Sequence, residues 1–357
     1  MGAKKSGFLK KSGIAQLMIP LIALGVLIIF NLIRDPGFFS ISVSTTGVLK
    51  GNLVSVIDSA SELAIIAMGM TLVTAACGGQ DISVGAVGAI AGSIFVSTLQ
   101  GMGPITIWTV LLGILFCIVV AILFCSFNGT LVAVFKIQPM IATLILFSCG
   151  RSIAYWISGS ATPQLNSPVI EAIGMTIPGC PIPTSIFFVI LMGILLGLVF
   201  KFTNLRLYTQ SVGINQGAAR LNGINPVLIK MLSFMILGMC VAVAGVIGVC
   251  RIGQIAHQTL LVEIEMDAIL AVAIGGNSLG GGRFRIAGSI LGAYIIKMLT
   301  ITLYAMSVPP VNVKAYKAIV IILIVIAGSP VIRTRITALM NKIRVSKETM
   351  AAAKGVD

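Results

Sequence analysis

The sequence predicts an all-α polytopic membrane protein with about ten transmembrane helices and both termini in the cytoplasm. Three observations carry this expectation. The 357 residues are 57% hydrophobic and 10% charged, against roughly 25% charged in an ordinary soluble domain, and the mean hydropathy is +1.09. Ten apolar runs recur along the chain, on the scale of the ~20 helical residues that cross a hydrocarbon core. Lys and Arg gather in alternate connections between those runs. A soluble enzyme is excluded, because the chain lacks the charge to cover a water-facing surface. A disordered chain is excluded by the abundance of Leu, Ile, Val and Phe.

The elements follow in order. The run 14–33 comes after Lys4, Lys5, Lys10 and Lys11, in the manner of a signal peptide. It lacks a small-residue cleavage site and is read as an uncleaved first span. The next runs are 53–76, 84–99, 105–127 and 137–157. A Pro-rich, nearly uncharged loop, 159–184, is expected outside. After the run 185–200 comes a long basic loop, 201–226, expected inside; so large an inner loop implies a task of its own. The runs 227–249, 264–274, 286–305 and 315–327 complete the set. Residues 1–330 are read as one transmembrane domain and 331–357 as a basic cytoplasmic tail.

With the N-terminus inside and one crossing per run, the inner segments hold the four N-terminal lysines, Lys136, Lys201, Arg206, Arg220, Lys230, Arg283 and Arg285. They also hold Arg333, Arg335, Lys342, Arg344, Lys347 and Lys354, so that seventeen of the 24 Lys and Arg lie inside. An odd number of spans would put one of the two basic ends outside. The net charge of +14 thus reflects inner loops rather than a nucleic-acid partner. The 39 glycines suit closely packed membrane helices. The seven cysteines have no framework spacing and read as reduced packing residues.

One internal echo stands out. Gly78-Gly79-Gln80-Asp81-Ile82-Ser83-Val84-Gly85 and Gly275-Gly276-Asn277-Ser278-Leu279-Gly280-Gly281-Gly282 share the pattern G-G-x-x-[IL]-x-x-G, each after an apolar run. Two readings stand: tight turns between helices, or the paired helix breaks of a transporter built from two related halves, which tend to line cavities.

Chemical candidates are few. Asp81 precedes Ser83 at the start of a span, where it either caps the helix or lines a pore. Asp58 and Glu62 share a helical face. Glu263, Glu265, Asp267, Arg251 and His257 are expected outside, as solvated interfacial charge or as a docking surface. Arg151 and Lys297 fall inside spans, which snorkelling, an ion pair or transport would each explain. No Cys/His cluster has metal-ligand spacing. There is no H-E-x-x-H, no nucleophile elbow and no G-x-x-x-x-G-K-[ST] phosphate loop. If ATP drives this protein, another chain binds it.

Met68-Gly69-Met70-Thr71-Leu72-Val73 followed by Gly78–Gly85 closely resembles the G-M-T-L-V … G-G-I-D-L-S-V-G signature of monosaccharide ATP-binding-cassette importer permeases of the ribose and galactoside type. Branched-chain amino acid permeases are more distantly similar. The segment 213–225, GINQGAARLNGIN, looks like that family's cytoplasmic G-x-N-x-x-A-A-x-x-x-G-I motif. Asp267-Ala268-Ile269-Leu270-Ala271-Val272 leading into 275–283 is similar to its D-A-I-A-A-V … G-G-x-S-L-x-G-G-R-G block. The resemblance runs from about residue 53 to 327, with two departures: Gln80 stands for the usual Ile, and Phe284 for the Gly after the Arg.

The resemblance implies a pore of two such chains, identical or merely similar, in the bilayer of the bacterial inner membrane. It implies a cytoplasmic ATPase that holds ATP and Mg, this chain binding neither, and an extracytoplasmic sugar-binding protein. Asn215, Gln216, Ala218, Ala219, Arg220, Gly223 and Ile224 are expected to couple to the ATPase through a short helix over 216–221. Gly78, Gly79, Gln80, Asp81, Ser83, Gly85, Gly275, Gly276, Asn277 and Ser278 are expected at the translocation path, near an inner gate. The competing reading is a secondary transporter driven by an ion gradient, which would need a defined intramembrane ion site.

Overall fold

The computed structural model describes residues 3–43 and 48–328; the basic tail 331–357 lies outside the described residues. Among them are thirteen helices and one short hairpin. In order these are α1 (Ala3–Arg34), β1 (Ser42–Val43), β2 (Leu49–Lys50), α2 (Asn52–Cys77), α3 (Val84–Gly101), α4 (Ile107–Ala133), α5 (Pro139–Ile157), α6 (Pro168–Gly174), α7 (Thr184–Phe202), α8 (Leu205–Ile214), α9 (Gln216–Leu221), α10 (Pro226–Ile252), α11 (Ile264–Ile274), α12 (Ile286–Ala305) and α13 (Pro310–Gly328). The protein is an all-α polytopic membrane protein. Seven helices, α2, α3, α4, α5, α7, α10 and α12, are long and apolar enough to cross a membrane.

The ten apolar runs fall on ten separate helices. Seven of these ten are the helices named above, and the run 264–274 is too short to cross as a helix. Its helix, α11, has 11 residues and reaches about 16 Å at 1.5 Å per residue, half of a ~30 Å hydrocarbon core.

Helix starts follow ordinary capping chemistry. Thr106 and Thr109 form a reciprocal capping box at α4. The Asn225 side chain accepts from the Val227 N–H at 3.0 Å, with Pro226 opening α10, and Gly253 ends that helix at φ 70°.

α2 and α10 form the centre, and 89% of the apolar window of α2 is buried against 22% for α7. The reason is side-chain size. A Cβ on Gly69 of α2 would stand 2.9 Å from the Leu237 Cα of α10, and one on Gly245 of α10 would stand 2.7 Å from the Gly88 carbonyl oxygen of α3. Only hydrogen fits there, so three helices meet backbone to backbone. The outer helices α4, α5 and α7 instead expose Leu112, Leu123, Ile145 and Ile194, as helices facing lipid do.

Two expected loops are more ordered than their composition implies. Residues 159–184 contain α6, where Ser167 caps and Pro168 opens the helix. Residues 201–226 contain two helices. α8 is amphipathic and buries Leu205, Thr209 and Val212 at helical spacing. α9 covers the expected residues 216–221.

Candidate functional site

The site is built from three chain segments that meet at one end of the bundle. The first begins where α2 stops at Cys77. Gly78 adopts φ 64° and returns its N–H to the Thr74 carbonyl, the left-handed cap that glycine tolerates best. Gly79 then packs on Pro139, the first residue of α5. Residues 79–83 are not helical. The Ile82 N–H reaches Thr143 Oγ1 at 3.2 Å. Asp81 is fully buried, and one carboxylate oxygen accepts from the Ser83 N–H at 2.7 Å and from its hydroxyl at 2.6 Å. Asn128 of α4 donates to Ser83 Oγ at 2.9 Å and to the other Asp81 oxygen at 3.4 Å. The carboxylate therefore organises the turn before α3 rather than capping its first turn. Gly79, Gln80, Ser83 and Gly85 are buried as well, while Gly78 is exposed.

The second segment begins where α11 stops. Gly275 is its C-cap and Gly276 takes φ 81°. Asn277, buried, is the hub of this loop. Its amide nitrogen donates to the carbonyls of Val272 (3.3 Å) and Arg285 (3.1 Å) and to Ser289 Oγ (2.9 Å). Its amide oxygen accepts from the Arg285 N–H at 2.7 Å. Ser289 in turn meets Thr71 of α2 at 2.6 Å. Ser278 stands half-buried beside it. The Asn277→Ala variant leaves the Arg285 N–H without its acceptor and unties the loop from Ser289, at about 1–3 kcal/mol. It should lower the thermal midpoint of the purified protein. The Gln80→Ile variant loses only the 3.2 Å bond to the Leu279 carbonyl and should shift that midpoint by less than a third as much.

The two glycine segments touch. A Cβ on Gly78 would lie 2.8 Å from the Gly280 oxygen, and one on Gly281 would lie 3.1 Å from the Gly78 Cα. The Gly282 N–H donates to the Ala75 carbonyl of α2 at 3.0 Å. The third segment enters here. A Cβ on Gly213 of α8 would collide with that same Ala75 oxygen and stand 2.7 Å from the Gly282 nitrogen. The last turn of α8 is therefore seated in a joint made by the end of α2 and the loop between α11 and α12. Gly213, Gly282 and Ala75 were not among the expected site residues. Gly213 opens one quoted motif, Gly282 closes another and Ala75 lies at the end of an apolar run, and no spacing says that they meet.

α9 projects from this joint. Asn215 caps it, accepting from the Ala218 N–H at 3.0 Å, and Gly223 leaves it at φ 77°. Asn215, Gln216, Ala218, Arg220 and Gly223 are exposed and Ile224 is half-buried. Ala219 is not on the open face. It is buried in a small apolar cluster with Ala75, Val212 and Ile229. Leu221 is 91% exposed, an apolar side chain with nothing beside it.

Away from this joint, the charges expected to be solvated are paired. Arg251 lies 2.9 Å from both Asp58 and Glu62. Asp267 lies 2.6 Å from Lys317 and 3.7 Å from Lys297, and Glu263 pairs with Lys314. Asp267, Glu265 and His257 are all less than 10% exposed. Arg151 neither snorkels nor pairs in the ordinary way. It donates to the carbonyls of His257 (2.8 Å) and Leu260 (3.0 Å), tying α5 to the turn before α11.

Glu265 lies deeper than its place before an apolar run suggests. A Cβ on Gly85 would meet its carboxylate and lie 3.3 Å from the Arg151 guanidinium, and Arg151 is about 18 Å along α5 from Pro139 at 1.5 Å per residue. The N-terminal turns of α3 and α11 thus meet inside the bundle. Their positive dipole ends and Arg151 make a carboxylate tolerable there. Interrupted helices whose N-termini meet within the bundle are a recurrent transporter device.

Residues 52–327 match the family described as branched-chain amino acid transport system / permease component. The chain belongs to this permease family. The permease is 36% identical to the galactofuranose transporter permease protein of Escherichia coli, over 87% of this chain and 89% of that one. It is 35% identical to the fructose import permease protein of Bifidobacterium longum, over 99% of this chain and 98% of that one. It is 33% identical to the ribose import permease protein of Haemophilus influenzae, over 86% and 91% of the two chains. No solved structure matches the permease. As a family member it is a translocation component and not an enzyme.

Proposed function

We propose that this chain is the transmembrane subunit of an ATP-driven importer that carries a monosaccharide, a pentose or hexose, across the bacterial cytoplasmic membrane by alternating access. The observation that carries the reading is the joint at Gly213. A short helix presented for a partner is packed, without intervening side chains, on the two glycine segments that join transmembrane helices. A push on α8 and α9 is therefore delivered to the ends of α2, α11 and α12.

In this reading Asn215, Gln216, Ala218, Arg220, Gly223, Ile224 and Leu221 meet a cytoplasmic ATPase, which holds ATP and Mg; Ala219 anchors the short helix from behind. Gly78, Gly79, Gln80, Asp81, Ser83, Gly85, Gly275, Gly276, Asn277 and Ser278 form the inner gate rather than a tight sugar site. Both termini lie in the cytoplasm, and the chain crosses ten times, the segment 254–274 counting as one crossing made partly without helix. The two interrupted regions are the corresponding places of two related halves. A second permease chain, the same or similar, completes the pore, and an extracytoplasmic binding protein delivers the sugar. The relatives named for galactofuranose, fructose and ribose support the substrate class.

The test is uptake in proteoliposomes that hold the chain with its ATPase and binding protein, using labelled ribose, fructose and galactofuranose. Accumulation should require ATP and all components. Uptake by the chain alone, driven by a proton or sodium gradient, would replace this reading with the ion-coupled one. Within the assay, Leu221→Asp should cut ATP-dependent uptake at least tenfold. It should leave the thermal midpoint of the purified chain within the effect of an ordinary surface change, about 0.5 kcal/mol.

A further inference from the structure

A pocket of about 600 Å³ opens where the end of α7, the start of α8 and the start of α12 come together. Lys201, Arg206 and Arg285 line it, and no carboxylate does. The ion pairs of the described residues all involve Asp58, Glu62, Glu263 or Asp267, none of which lines the pocket. Phe284 packs edge-on against Phe200 with centroids 5.1 Å apart, and the Arg206 guanidinium sits 5.9 Å over the Phe284 ring, which fixes one of the cations in place. Burial, with Arg283 and Arg206 close by, lowers the pKa of Arg285 from its ordinary value. Three cations thus converge on one cavity with nothing of opposite sign.

From the pocket an open apolar face runs along α7. Gly193 and Gly197 of α7 are one turn apart, and a Cβ on either would meet nothing within 4 Å. Ile190 and Ile194 beside them are 53% and 57% exposed. A free anion would fill only the mouth. A second copy of this chain across the same face would set these cations against their own kind. An amphiphile with an anionic head fits both parts.

We propose that this is a site for an anionic phospholipid of the inner leaflet, its phosphate held among Lys201, Arg206 and Arg285 and an acyl chain lying along α7. Basic pockets between transmembrane helices on the cytoplasmic side take such headgroups, and arginine matches phosphate geometry. The naming of the leaflet rests on the orientation proposed above; the pocket itself does not. Because Phe284 and Arg285 lie within three residues of Gly282, a bound lipid clamps the α7–α8 turn to the loop that receives Gly213. Lipid charge then tunes the coupling joint.

The test is native mass spectrometry of the purified full chain titrated with phosphatidylglycerol or phosphatidylcholine. Phosphatidylglycerol should bind saturably and more tightly than phosphatidylcholine. Lys201→Ala and Arg206→Ala should each weaken it about fivefold, Arg206→Lys should retain most of it, and Lys136→Ala, an exposed cation outside the pocket, should leave it unchanged. Lys201 is itself exposed, so its variant reads the site even if Arg206→Ala misfolds. Equal weakening by Lys136→Ala would reduce the effect to general surface charge. Displacement by millimolar glycerol phosphate would make this a soluble-anion site. Displacement by the assembled ATPase, or dimers in place of lipid adducts, would assign the cations to a subunit contact. Each of these overturns the proposal, and none depends on which sugar is transported.

Discussion

The Gly213→Val permease should reach the membrane and fail to transport. A side chain at 213 collides with the Ala75 carbonyl and crowds the Gly282 nitrogen, and those two atoms are already bonded to each other at 3.0 Å. Neither belongs to a flexible side chain, so the backbones must separate. Overpacking of this kind costs about 1–3 kcal/mol. α8 lies at the end of the bundle and is held by Leu205, Thr209 and Val212. The cheapest response is therefore for α8 to tilt away while the α2–α10 centre stays intact. The expected result is ATP-dependent uptake below a tenth of wild type. ATP hydrolysis by the assembled complex should persist without responding to sugar-loaded binding protein. Gly25→Ala, where a Cβ meets nothing within 4 Å, should transport normally. Normal uptake by Gly213→Val would remove the joint from the mechanism.

The second large effect is expected at Arg251. Its guanidinium holds two carboxylates, Asp58 and Glu62, which sit one helical turn apart on α2. Asp58 also accepts from Ser185 of α7, so this one cation gathers α2, α7 and α10. Replacing it by Met leaves two acids close together without a paired cation. Removing one partner of a fully buried pair costs about 3–5 kcal/mol. Here the side chains of Arg251 and Asp58 keep 27% and 28% exposure, which moderates the loss to about 2–3 kcal/mol. The Arg251→Met protein should therefore unfold at a clearly lower temperature in detergent. Adding Asp58→Asn and Glu62→Gln should recover most of the loss, because the repelling charges go with the cation. If the triple variant is no better than the single one, Arg251 acts through packing and not through charge.

These two residues also separate what was legible in the sequence from what was not. Arg251, Asp58 and Glu62 were visible as polar positions near the ends of apolar runs, and their expected state was solvated. That expectation fails because hydropathy reports the cost of burying a charge alone, whereas a partner on another helix changes the cost. Gly213 was visible only as the first letter of a motif. Of the residues expected to couple to the ATPase, Ala218 is open but Ala219 turns inward, and the apolar side chain offered outward is Leu221. A short helix gives every residue a side, but only the neighbours decide which side is inside. The loop 201–226 held a second helix, α8, whose apolar positions were too few to stand out against so apolar a background.

By itself, the sequence determined that the chain lives in a membrane, where its hydrophobic runs lie, where glycine interrupts them and to which family it belongs. All of these follow from local composition and short motifs, because the cost of putting charge or unpaired backbone into hydrocarbon acts on each segment separately. The tertiary structure decided that residues 75, 213 and 282 share one joint, that Arg251 pairs with Asp58 and Glu62, that the N-terminal turns of α3 and α11 meet at Glu265 and that three cations line one pocket. Those relations are set by how helices approach across long stretches of chain. Such approach depends on the joint fit of many side chains, most of all on the glycines that let two backbones touch, and no single segment encodes it.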